Sequence, residues 1–352
     1  MQNPVTSLID KALASRLTLF DSRHERSNPV GQRSDPVDES AFRLFNGFTE
    51  GCPDLVIDLY AKTLVFHNYA DDPVQGDSNV QESLSFIQDY PIFSGWLRAG
   101  IVKVRNGKSS EEKRGKLLFG ENPDRKIKEH DIWYSIDLTI NRDASFYLDT
   151  RNLRKWLLTN SAEKSVLNAF AYTGSLGVAA MAGGASRVVQ LDRSRQFLNL
   201  GKTSYTLNGF PIHKGDFITG DFFTQISKFK RTGETFDCVV VDPPFFSTTP
   251  RGKVDQVNES ARLINKVRPL INDGGYLIAV NNALYVSGSD YMQTLESLCR
   301  DGYLKINELI PVPEDITGYP ATRAGNPITN PAPFNHSTKI AVLEVRRKRA
   351  EG

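Results

Sequence analysis

The chain has 352 residues, of which 39% are hydrophobic and 24% charged, and its formal net charge at pH 7 is +2. This length exceeds what one ordinary domain needs, so two domains are expected, and the composition is that of a globular protein. The near-neutral balance excludes a protein that coats nucleic acid with positive charge. It does not exclude an enzyme that touches RNA locally.

The cysteines and the first residues of the chain are used to predict its cellular compartment. Cys52, Cys238 and Cys299 are far apart and form no C-x-x-C pair, which predicts no metal cluster and no disulfide framework and fits a reducing cytosol. The stretch M-Q-N-P-V-T-S-L-I-D-K lacks a basic segment followed by a long apolar core. No apolar run reaches the ~20 residues that a membrane-spanning helix needs. We therefore expect a cytoplasmic protein that does not insert into a membrane.

The N-terminal part is predicted to hold a helix over 7–20, because Leu8, Ile9, Ala12, Leu13, Leu17 and Phe20 recur at helical spacing. The polar segment 21–40 is predicted as a loop. Further elements are a helix over 79–98 and strands at 42–46, 55–60, 63–69, 101–106 and 132–140. The charged run 108–116 is a solvated tip or, alternatively, a contact to RNA phosphates.

From residue 141 the pattern changes to strands that alternate with amphipathic helices. Strands are predicted at 165–170, 187–192, 217–221, 236–242, 276–282, 304–310 and 339–346, and helices at 151–158, 175–182, 194–207, 222–230, 255–268 and 289–301. Buried strands alternating with helices predict an α/β fold, a doubly wound parallel sheet. The predicted domains are a helix and loop at 1–40, a small α+β domain at 41–140, and an α/β domain at 141–352.

The loop N-A-F-A-Y-T-G-S-L-G (168–177) follows the first strand of the α/β domain. A dinucleotide-binding loop has G-x-G-x-x-G, in which the first glycine makes the tight turn. Gly174 and Gly177 match the last two glycines, but Tyr172 stands at the first position. The bulky side chain argues against a pyrophosphate, while a smaller anionic group at the helix N-terminus is still compatible. Two glycines at this spacing are also common in simple tight connections.

Asp192 ends the second predicted strand, eighteen residues after Gly174. A carboxylate at the tip of that strand is placed to accept hydrogen bonds from both hydroxyls of a ribose. The alternative is that Asp192 only caps the helix that follows. Nicotinamide cofactors and S-adenosylmethionine both carry such a ribose, so this residue indicates a nucleoside without choosing between them.

The fourth predicted strand runs into D-P-P-F-F (242–246). Two prolines fix the backbone and remove two N–H donors, which leaves the Asp242 carboxylate and the carbonyls of Asp242 and Pro243 as acceptors, with Phe245 and Phe246 beside them. A fixed corner of acceptors next to an aromatic ring suits a planar base with an amino group. A dehydrogenase has no use for such a corner.

Taken in order, these motifs resemble the class I S-adenosylmethionine-dependent methyltransferases, specifically the bacterial large-subunit ribosomal RNA methyltransferases of the cytosine-5 and guanine-N7 types. The segments that carry the resemblance are A-F-R-L-F-N-G-F-T-E-G-C-P-D-L-V-I-D-L-Y (41–60), N-R-D-A-S-F-Y-L-D-T-R-N-L-R (141–154), N-A-F-A-Y-T-G-S-L-G, Q-L-D-R-S, F-I-T-G-D-F-F, V-V-D-P-P-F-F-S and D-G-G-Y-L. The resemblance implies a Rossmann-like methyltransferase domain with a smaller N-terminal α+β domain. The implied cofactor is S-adenosyl-L-methionine, with S-adenosyl-L-homocysteine as product and RNA as the partner.

The resemblance also implies roles for individual residues. The cofactor pocket would be bordered by Phe146, Asp149 and Arg151. The methionine end of the cofactor would be lined by Asn168, Phe170, Ala171, Tyr172, Thr173 and Gly174. Asp192 and Arg193 would hold the ribose side, and Asp221 and Phe222 would contact the adenine. Gly215-Asp216 is an alternative for the adenine contact, but its distance in sequence from the fourth strand fits less well. The target base would be faced by the catalytic corner Asp242, Pro243, Pro244 and Phe245. No metal site is implied.

Two departures from the cytosine-5 members narrow the reaction. Those members use a cysteine nucleophile after the fifth strand, whereas this chain has A-V-N-N-A-L-Y-V there, and Cys238 and Cys299 are predicted as core thiols. The Asn281-Asn282 pair resembles the guanine-N7 type, in which positioning and electrostatics suffice. We also expect no N-terminal RNA-binding module like that of the cytosine-5 members, because 1–40 is too short for one, and this departure argues less for ribosomal RNA in particular. Transfer to a ring or exocyclic nitrogen of a base in ribosomal RNA is the expectation.

The sequence leaves several functions possible and does not decide the role of the proline-rich segment 311–339. The rivals are methyl transfer to a small molecule or protein side chain, a non-catalytic RNA-binding protein on this fold, and a nicotinamide oxidoreductase, which Tyr172 and D-P-P-F disfavour. In the segment, Tyr319, Arg323, Phe334 and His336 form either a lid on the substrate or a surface loop with buried aromatics. The sequence does not predict the oligomeric state.

Overall fold

The computed structural model describes residues 4–21 and 39–347. Its described residues form two compact units, one from Met1–Leu148 and Pro313–Pro327 and the other from Asp149–Val312 and Ile328–Gly352. We call them unit 1 and unit 2. The predicted loop 21–40 lies almost entirely outside the described residues, and the domain boundary between residues 140 and 141 stays a prediction.

Unit 1 is built on a five-stranded sheet in the order β1-β2-β3-β4-β5, in which only β3 and β4 are parallel neighbours. Its elements are α1 Pro4–Asp21, β1 Ala41–Asn46, α2 Gly47–Glu50, β2 Leu55–Tyr60, β3 Thr63–Asn68, α3 Pro73–Asp89, β4 Ala99–Val104, α4 Ser110–Arg114, β5 Lys116–Phe119, β6 Lys126–Glu129 and β7 Ile132–Ser135. One face of the sheet packs apolar residues against α1 and α3. The opposite face carries buried charge, where Arg43 pairs with Asp58 at 2.7 Å.

The helix predicted over 79–98 is displaced in the structure. It begins at Pro73, where the Asp72 side chain accepts a hydrogen bond from Val74 N at 3.0 Å, and it ends at Asp89. Tyr90 is extended because the next residue is a proline, which disfavours helical backbone before it. The segment predicted as a tip or loop, 108–116, contains α4 with a capping box between Ser109 and Glu112.

Unit 2 contains the α/β fold. Its elements are α5 Arg151–Asn160, β8 Ser165–Ala169, α6 Ser175–Ala182, β9 Arg187–Asp192, α7 Arg195–Leu207, β10 Phe217–Thr219, α8 Phe222–Thr232, β11 Phe236–Val241, β12 Phe246–Thr249, β13 Gly252–Asp255, α9 Ser260–Val267, β14 Ile271–Asn281, α10 Gly288–Cys299, β15 Leu304–Ile310 and β16 Lys339–Val345. The remaining short helix, α11 Glu314–Thr317, belongs to unit 1.

The main sheet of unit 2 has the order β10-β9-β8-β11-β14-β16-β15. The first five strands are parallel neighbours, which confirms the predicted doubly wound, Rossmann-like α/β class. The prediction of a wholly parallel sheet is wrong, since β16 is antiparallel to both β14 and β15. The connection from β15 to β16 carries no crossover helix packed on the sheet, and an antiparallel neighbour needs none.

A hairpin that the sequence pattern missed follows the fourth parallel strand. Strands β12 and β13 pair antiparallel, with Phe246 opposite Asp255, so the helix predicted to begin at 255 begins only at Ser260. The hydroxyl of Thr249 accepts from Gly252 N at 3.2 Å and closes the turn. In the part of the chain that the structure describes, no helix combines the length and the apolar character needed to cross a bilayer.

Candidate active site

The predicted site residues of unit 2 lie where its parallel strands end. Loops at the carboxyl ends of β8, β9, β10, β11 and β14 meet at one edge of the sheet, the edge at which doubly wound folds bind ligands. Phe146 is the exception, because it belongs to unit 1, where it is buried against Tyr134 with ring centroids 5.0 Å apart. Arg151 is the first residue of α5 in unit 2.

The loop after β8 has an unusual backbone. Phe170 and Tyr172 have positive φ angles of 60° and 51°, and Gly174, the N-cap of α6, has 77°. Such values are costly for residues other than glycine and persist where the surroundings enforce them. Here Ala171 N donates to Leu191 O at 2.8 Å and Tyr172 N to Asp192 Oδ2 at 2.8 Å. Hydrogen bonds to residues of β9 therefore hold this loop in its costly backbone conformation.

A buried amide pair lies beneath this loop. Asn168 is fully buried and donates from Nδ2 to Gln190 Oε1 at 2.8 Å, and Gln190 Nε2 donates to Gly174 O at 3.1 Å. A Cβ on Gly177 would lie 2.1 Å from Gln190 Nε2, so any larger residue there would displace the Gln190 amide. Sequence reasoning missed Gln190, although a glutamine inside the buried run R-V-V-Q-L-D is itself a signal.

Asp192 is tied to the loop rather than to the following helix. Its Oδ2 accepts from Tyr172 N and its Oδ1 from Ser194 N, both at 2.8 Å. The N-cap of α7 is Ser194, whose hydroxyl accepts from Phe197 N, so the alternative of a capping role for Asp192 is wrong. Burial raises the pKa of Asp192, although these backbone hydrogen bonds oppose the shift. Arg193 beside it is exposed.

Asp221 and Phe222 begin α8. Asp221 is its N-cap and accepts from Thr224 N at 2.9 Å, and the buried ring of Phe222 stacks on Phe170 with centroids 4.5 Å apart. The rival Asp216 is engaged elsewhere, in an ion pair with Arg187 at 2.8 Å. This arrangement supports the ranking of Asp221 over the Gly215-Asp216 pair.

Two buried oxygens at these positions offer unused acceptor capacity. Oδ2 of Asp221 and Oδ1 of Asn168 make no hydrogen bond within the described residues. Leaving an acceptor buried without a partner costs free energy, so such atoms require an explanation. Donors that a nucleoside with an amino acid arm would supply, an adenine amino group and an ammonium, fit this need.

The D-P-P-F corner is held by side chains that the sequence did not predict. Pro243 O accepts from Gln256 Nε2 at 2.5 Å and from Asn282 Nδ2 at 3.4 Å. The expectation that this carbonyl is a bare acceptor for a base is therefore wrong. Asn281, the last residue of β14, is buried and donates to Gln256 O at 2.9 Å, so this asparagine and the next one, Asn282, support the corner. Gln256 was missed because the hairpin that positions it was not predicted.

Asp242 remains the acceptor at this corner. It is half-buried, and burial together with the nearby charge of Asp149 raises its pKa to about 7. Asp149 itself accepts from Thr338 Oγ1 at 2.8 Å. Burial disfavours the charged form of Asp242 most, and the negative charge of Asp149 adds to that effect.

Exposed aromatic rings follow Asp242, and no thiol lies on the corner segment. Phe245 and Phe246 are 49% and 52% exposed. Cys238 is buried within β11, and burial raises its pKa to about 12, while Cys299 lies on α10 and Cys52 in unit 1. A thiol with a raised pKa is a poor nucleophile, because the thiolate is the reactive form.

The four side chains singled out in the proline-rich segment all have intramolecular contacts. Phe334 is buried against Tyr291, and His336 Nδ1 accepts from Thr338 N. In unit 1, the Arg16 guanidinium lies 5.0 Å over the ring of Tyr319, and Arg323 donates to Gly318 O. These contacts favour the packed loop over a lid formed by these side chains.

Comparison with known proteins identifies the family of this chain. Residues 101–317, more than half of the chain, match the family of S-adenosylmethionine-dependent methyltransferases. The chain therefore belongs to this family of enzymes, and S-adenosylmethionine is its cofactor. The predicted resemblance to methyltransferases is confirmed.

Curated relatives share one name. Ribosomal RNA large subunit methyltransferase I of Photobacterium profundum is 30% identical over 241 residues, which cover 68% of this chain and 60% of that protein. The protein of the same name from Vibrio cholerae is 31% identical over 244 residues, with the same coverage. The matched region thus spans about 60% of the length of these relatives.

Solved structures share the fold. SMU.776, described as a methyltransferase and crystallised with S-adenosylhomocysteine, matches with a TM-score of 0.78 at 20% identity over 98% of this chain and 83% of its own. A methyltransferase from Agrobacterium tumefaciens matches with a TM-score of 0.57 at 17% identity over 88% of this chain and 91% of its own. Both likenesses concern the fold alone.

Proposed function

We propose that this protein transfers the methyl group of S-adenosylmethionine to a nitrogen, in the ring or exocyclic, of a nucleobase in ribosomal RNA, without a cysteine nucleophile. The observation that carries the proposal is the D-P-P-F corner. It combines a fixed carboxyl group, Asp242, with an exposed ring, Phe245, and no thiol. An edge acceptor beside a stacking surface is what recognition of an unpaired base with an amino group requires.

The cofactor would be held by the loops after β8, β9 and β10. Asp192 would accept from the ribose hydroxyls and Asp221 from the adenine amino group, through the oxygen that makes no hydrogen bond within the described residues. The loop from Phe170 to Gly174 would enclose the methionine arm, with Thr173 among its side chains. Contacts of Phe146, Asp149, Arg151 and Arg193 with the cofactor stay predictions.

The cofactor supplies an electrophilic methyl group on a sulfonium. The lone pair of the base nitrogen would form the new N–C bond as the C–S bond breaks, and the electron pair of the broken bond would stay on sulfur, which would become a neutral thioether. An exocyclic nitrogen then loses its proton to water, whereas a ring nitrogen such as guanine N7 becomes cationic. Asp242 would orient the base by accepting from its amino group, and Phe245 would stack on its face, so positioning contributes most of the rate.

The choice of RNA rests on the relatives and on the exposed corner. The relatives are named for ribosomal RNA of the large subunit, and an exposed ring next to the acceptor favours a large flat substrate over a small enclosed one. Because the match covers about 60% of those proteins, the substrate of this chain is our proposal.

Mass spectrometry of nucleosides from ribosomal RNA of a deletion strain tests the proposal directly. We expect one N-methylated nucleoside to disappear and to return when the purified protein and S-adenosylmethionine are added to that RNA. Isothermal calorimetry should detect binding of the cofactor at micromolar concentration. If the cofactor binds but no nucleoside changes, the substrate is a small molecule or a protein. If the cofactor does not bind, the enzyme assignment fails.

The absence of a covalent step has its own test. Cys238→Ser and Cys299→Ser should each retain methyl transfer within about twofold, because neither thiol acts as a nucleophile. RNA containing 5-fluorocytosine should form no covalent complex with the protein on a denaturing gel. Loss of activity in either variant with an unchanged unfolding midpoint, or a trapped complex, would contradict nitrogen as the acceptor.

A further inference from the structure

Exposed apolar side chains are concentrated around the D-P-P-F corner. The described residues contain fourteen large hydrophobic side chains that are exposed, and six of them lie in the three segments that adjoin this corner. We call these six the apolar rim: Phe245, Phe246, Val257, Leu284, Tyr285 and Ile328. Tyr285 is the most exposed of them, at 73%. Clustered exposure of this kind marks an interaction site, whereas single exposed side chains are ordinary.

Hydrogen bonds join the three segments that carry the rim. Gln256 N donates to Phe245 O at 3.1 Å, which ties the two ends of the hairpin, and Gln256 Nε2 donates to Asn282 Oδ1 at 3.2 Å, which ties the hairpin to the loop after β14. Thr329 Oγ1 donates to Leu284 O at 2.7 Å and ties the third segment to that loop. The three segments that carry the rim are thus joined to one another, and the first of them directly follows Asp242.

The charges on this surface indicate the partner. Arg251 lies exposed at the turn of the β12–β13 hairpin, and Lys253 Nζ lies 5.4 Å over the ring of Phe246. The neighbouring carboxylates already have partners: Asp255 with Lys253 at 2.7 Å, Glu259 with Arg262 at 2.6 Å, and Asp290 with the Ser287 hydroxyl at 2.6 Å. Lys253 and Arg262 are themselves neutralised by Asp255 and Glu259, so Arg251 is the hairpin cation outside these pairs. An exposed cation next to exposed rings complements a polyanion that has flat apolar faces.

We propose that the apolar rim binds the single-stranded RNA that flanks the target nucleotide. Phe246 and Tyr285 stack on neighbouring bases, and Arg251 contacts the backbone phosphates. This inference rests on the proposed function, since it extends the surface that presents one base to Asp242. Unpaired bases stack on exposed aromatic side chains with little sequence preference, while cations next to the rings follow the backbone. A duplex keeps its bases stacked inside and offers the rim no faces.

Fluorescence anisotropy with a 5′-labelled twelve-nucleotide single-stranded RNA of mixed sequence, and with a duplex of the same length, measures this binding without any methyl transfer. Tyr285→Ala and Phe246→Ala should each weaken binding of the single strand by about five- to a hundred-fold and leave duplex binding unchanged. Tyr285→Trp should retain it, because the stacking surface is kept. Arg251→Ala should reduce the slope of log affinity against log salt by about 0.7.

Ile212→Ala is the matched control, since Ile212 is 39% exposed in unit 2, in the connection after α7. Unchanged affinity in both aromatic variants, an equal loss in the control, or tighter binding of the duplex would overturn the inference. So would a wild-type dimer in light scattering that Tyr285→Ala dissociates, because the rim would then bind a second copy. If single strands bind as expected but ribosomal RNA is not methylated, the inference stands and the proposed function fails.

Discussion

The loop after β8 and the corner after β11 differ in how they are held. In the loop, both acceptors lie on the adjacent strand β9: Ala171 N donates to the backbone Leu191 O and Tyr172 N to the side-chain Asp192 Oδ2, both at 2.8 Å. In the corner, the backbone atom Pro243 O is held by side chains, Gln256 and Asn282. The loop buries most of its residues, while the corner exposes two aromatic rings.

This difference teaches which half of the site is preformed. Both acceptors of the loop lie on β9, the strand paired with β8, so the loop is organised when the sheet forms and before any ligand arrives. The corner depends on distant side chains and leaves its apolar surface to a partner. The loop after β8 suits a cofactor that the whole family shares, and the corner after β11 suits a substrate that differs between members of the family. Changes in the two halves should therefore have separable effects.

The largest effect is expected at the corner. Asp242→Ala should lower the rate of methyl transfer by about 100-fold or more, because removal of a positioned group at the reacting centre costs this much. Cofactor affinity should stay within about threefold, since Asp242 is proposed to face the base. Single-turnover kinetics with radiolabelled cofactor, and calorimetry for binding, measure the two quantities.

Asp242→Asn is the control for this prediction. It retains the shape and one acceptor oxygen, so it should transfer faster than the alanine variant and more slowly than the wild type. A large loss of cofactor affinity in either variant would mean that Asp242 belongs to the cofactor half, and the proposed separation of the two halves would be wrong.

The same difference explains what the sequence could predict. Strands β9 and β15 and helix α6 lie where the pattern put them, and the glycine loop followed from two glycines and a tyrosine, because these constraints are local. Gln256 and Gln190 were not predicted, since each acts on a residue distant in sequence, Pro243 and Gly174. Strand β16 was predicted, but its antiparallel orientation was not, because local sequence does not indicate which strand will be its neighbour in the sheet.

A smaller effect is expected in the loop. Gly177→Ala places a Cβ 2.1 Å from Gln190 Nε2, so it should lower the free energy of unfolding by about 1–3 kcal/mol, the usual cost of overpacking, less the gain in helix propensity. Displacement of Gln190 should also weaken cofactor binding several-fold. Gly215→Ala, which meets nothing within 4 Å, is the control and should unfold like the wild type. If single-strand RNA binding falls as much as cofactor binding, the two halves are coupled.

A third effect concerns the charge of Asp242, whose pKa is raised to about 7 by burial and by the charge of Asp149. A carboxyl group accepts a hydrogen bond more strongly when it is ionised, so kcat/KM for the cofactor, which reports ionisation in the free enzyme, should fall as the pH falls. With a pKa near 7, the ionised fraction rises from about 10% at pH 6 to about 90% at pH 8, a nearly tenfold change.

Asp149→Asn separates the two causes of this shift. It removes the neighbouring negative charge but leaves the burial, so the pKa of Asp242 should fall and the midpoint of the pH profile should move to lower pH. In Asp242→Asn the residual rate should be independent of pH over the same range, because the titrating group is gone. A wild-type rate that instead rises as the pH falls would mean that the protonated acid donates to the base, and the amino group would no longer be what the corner recognises.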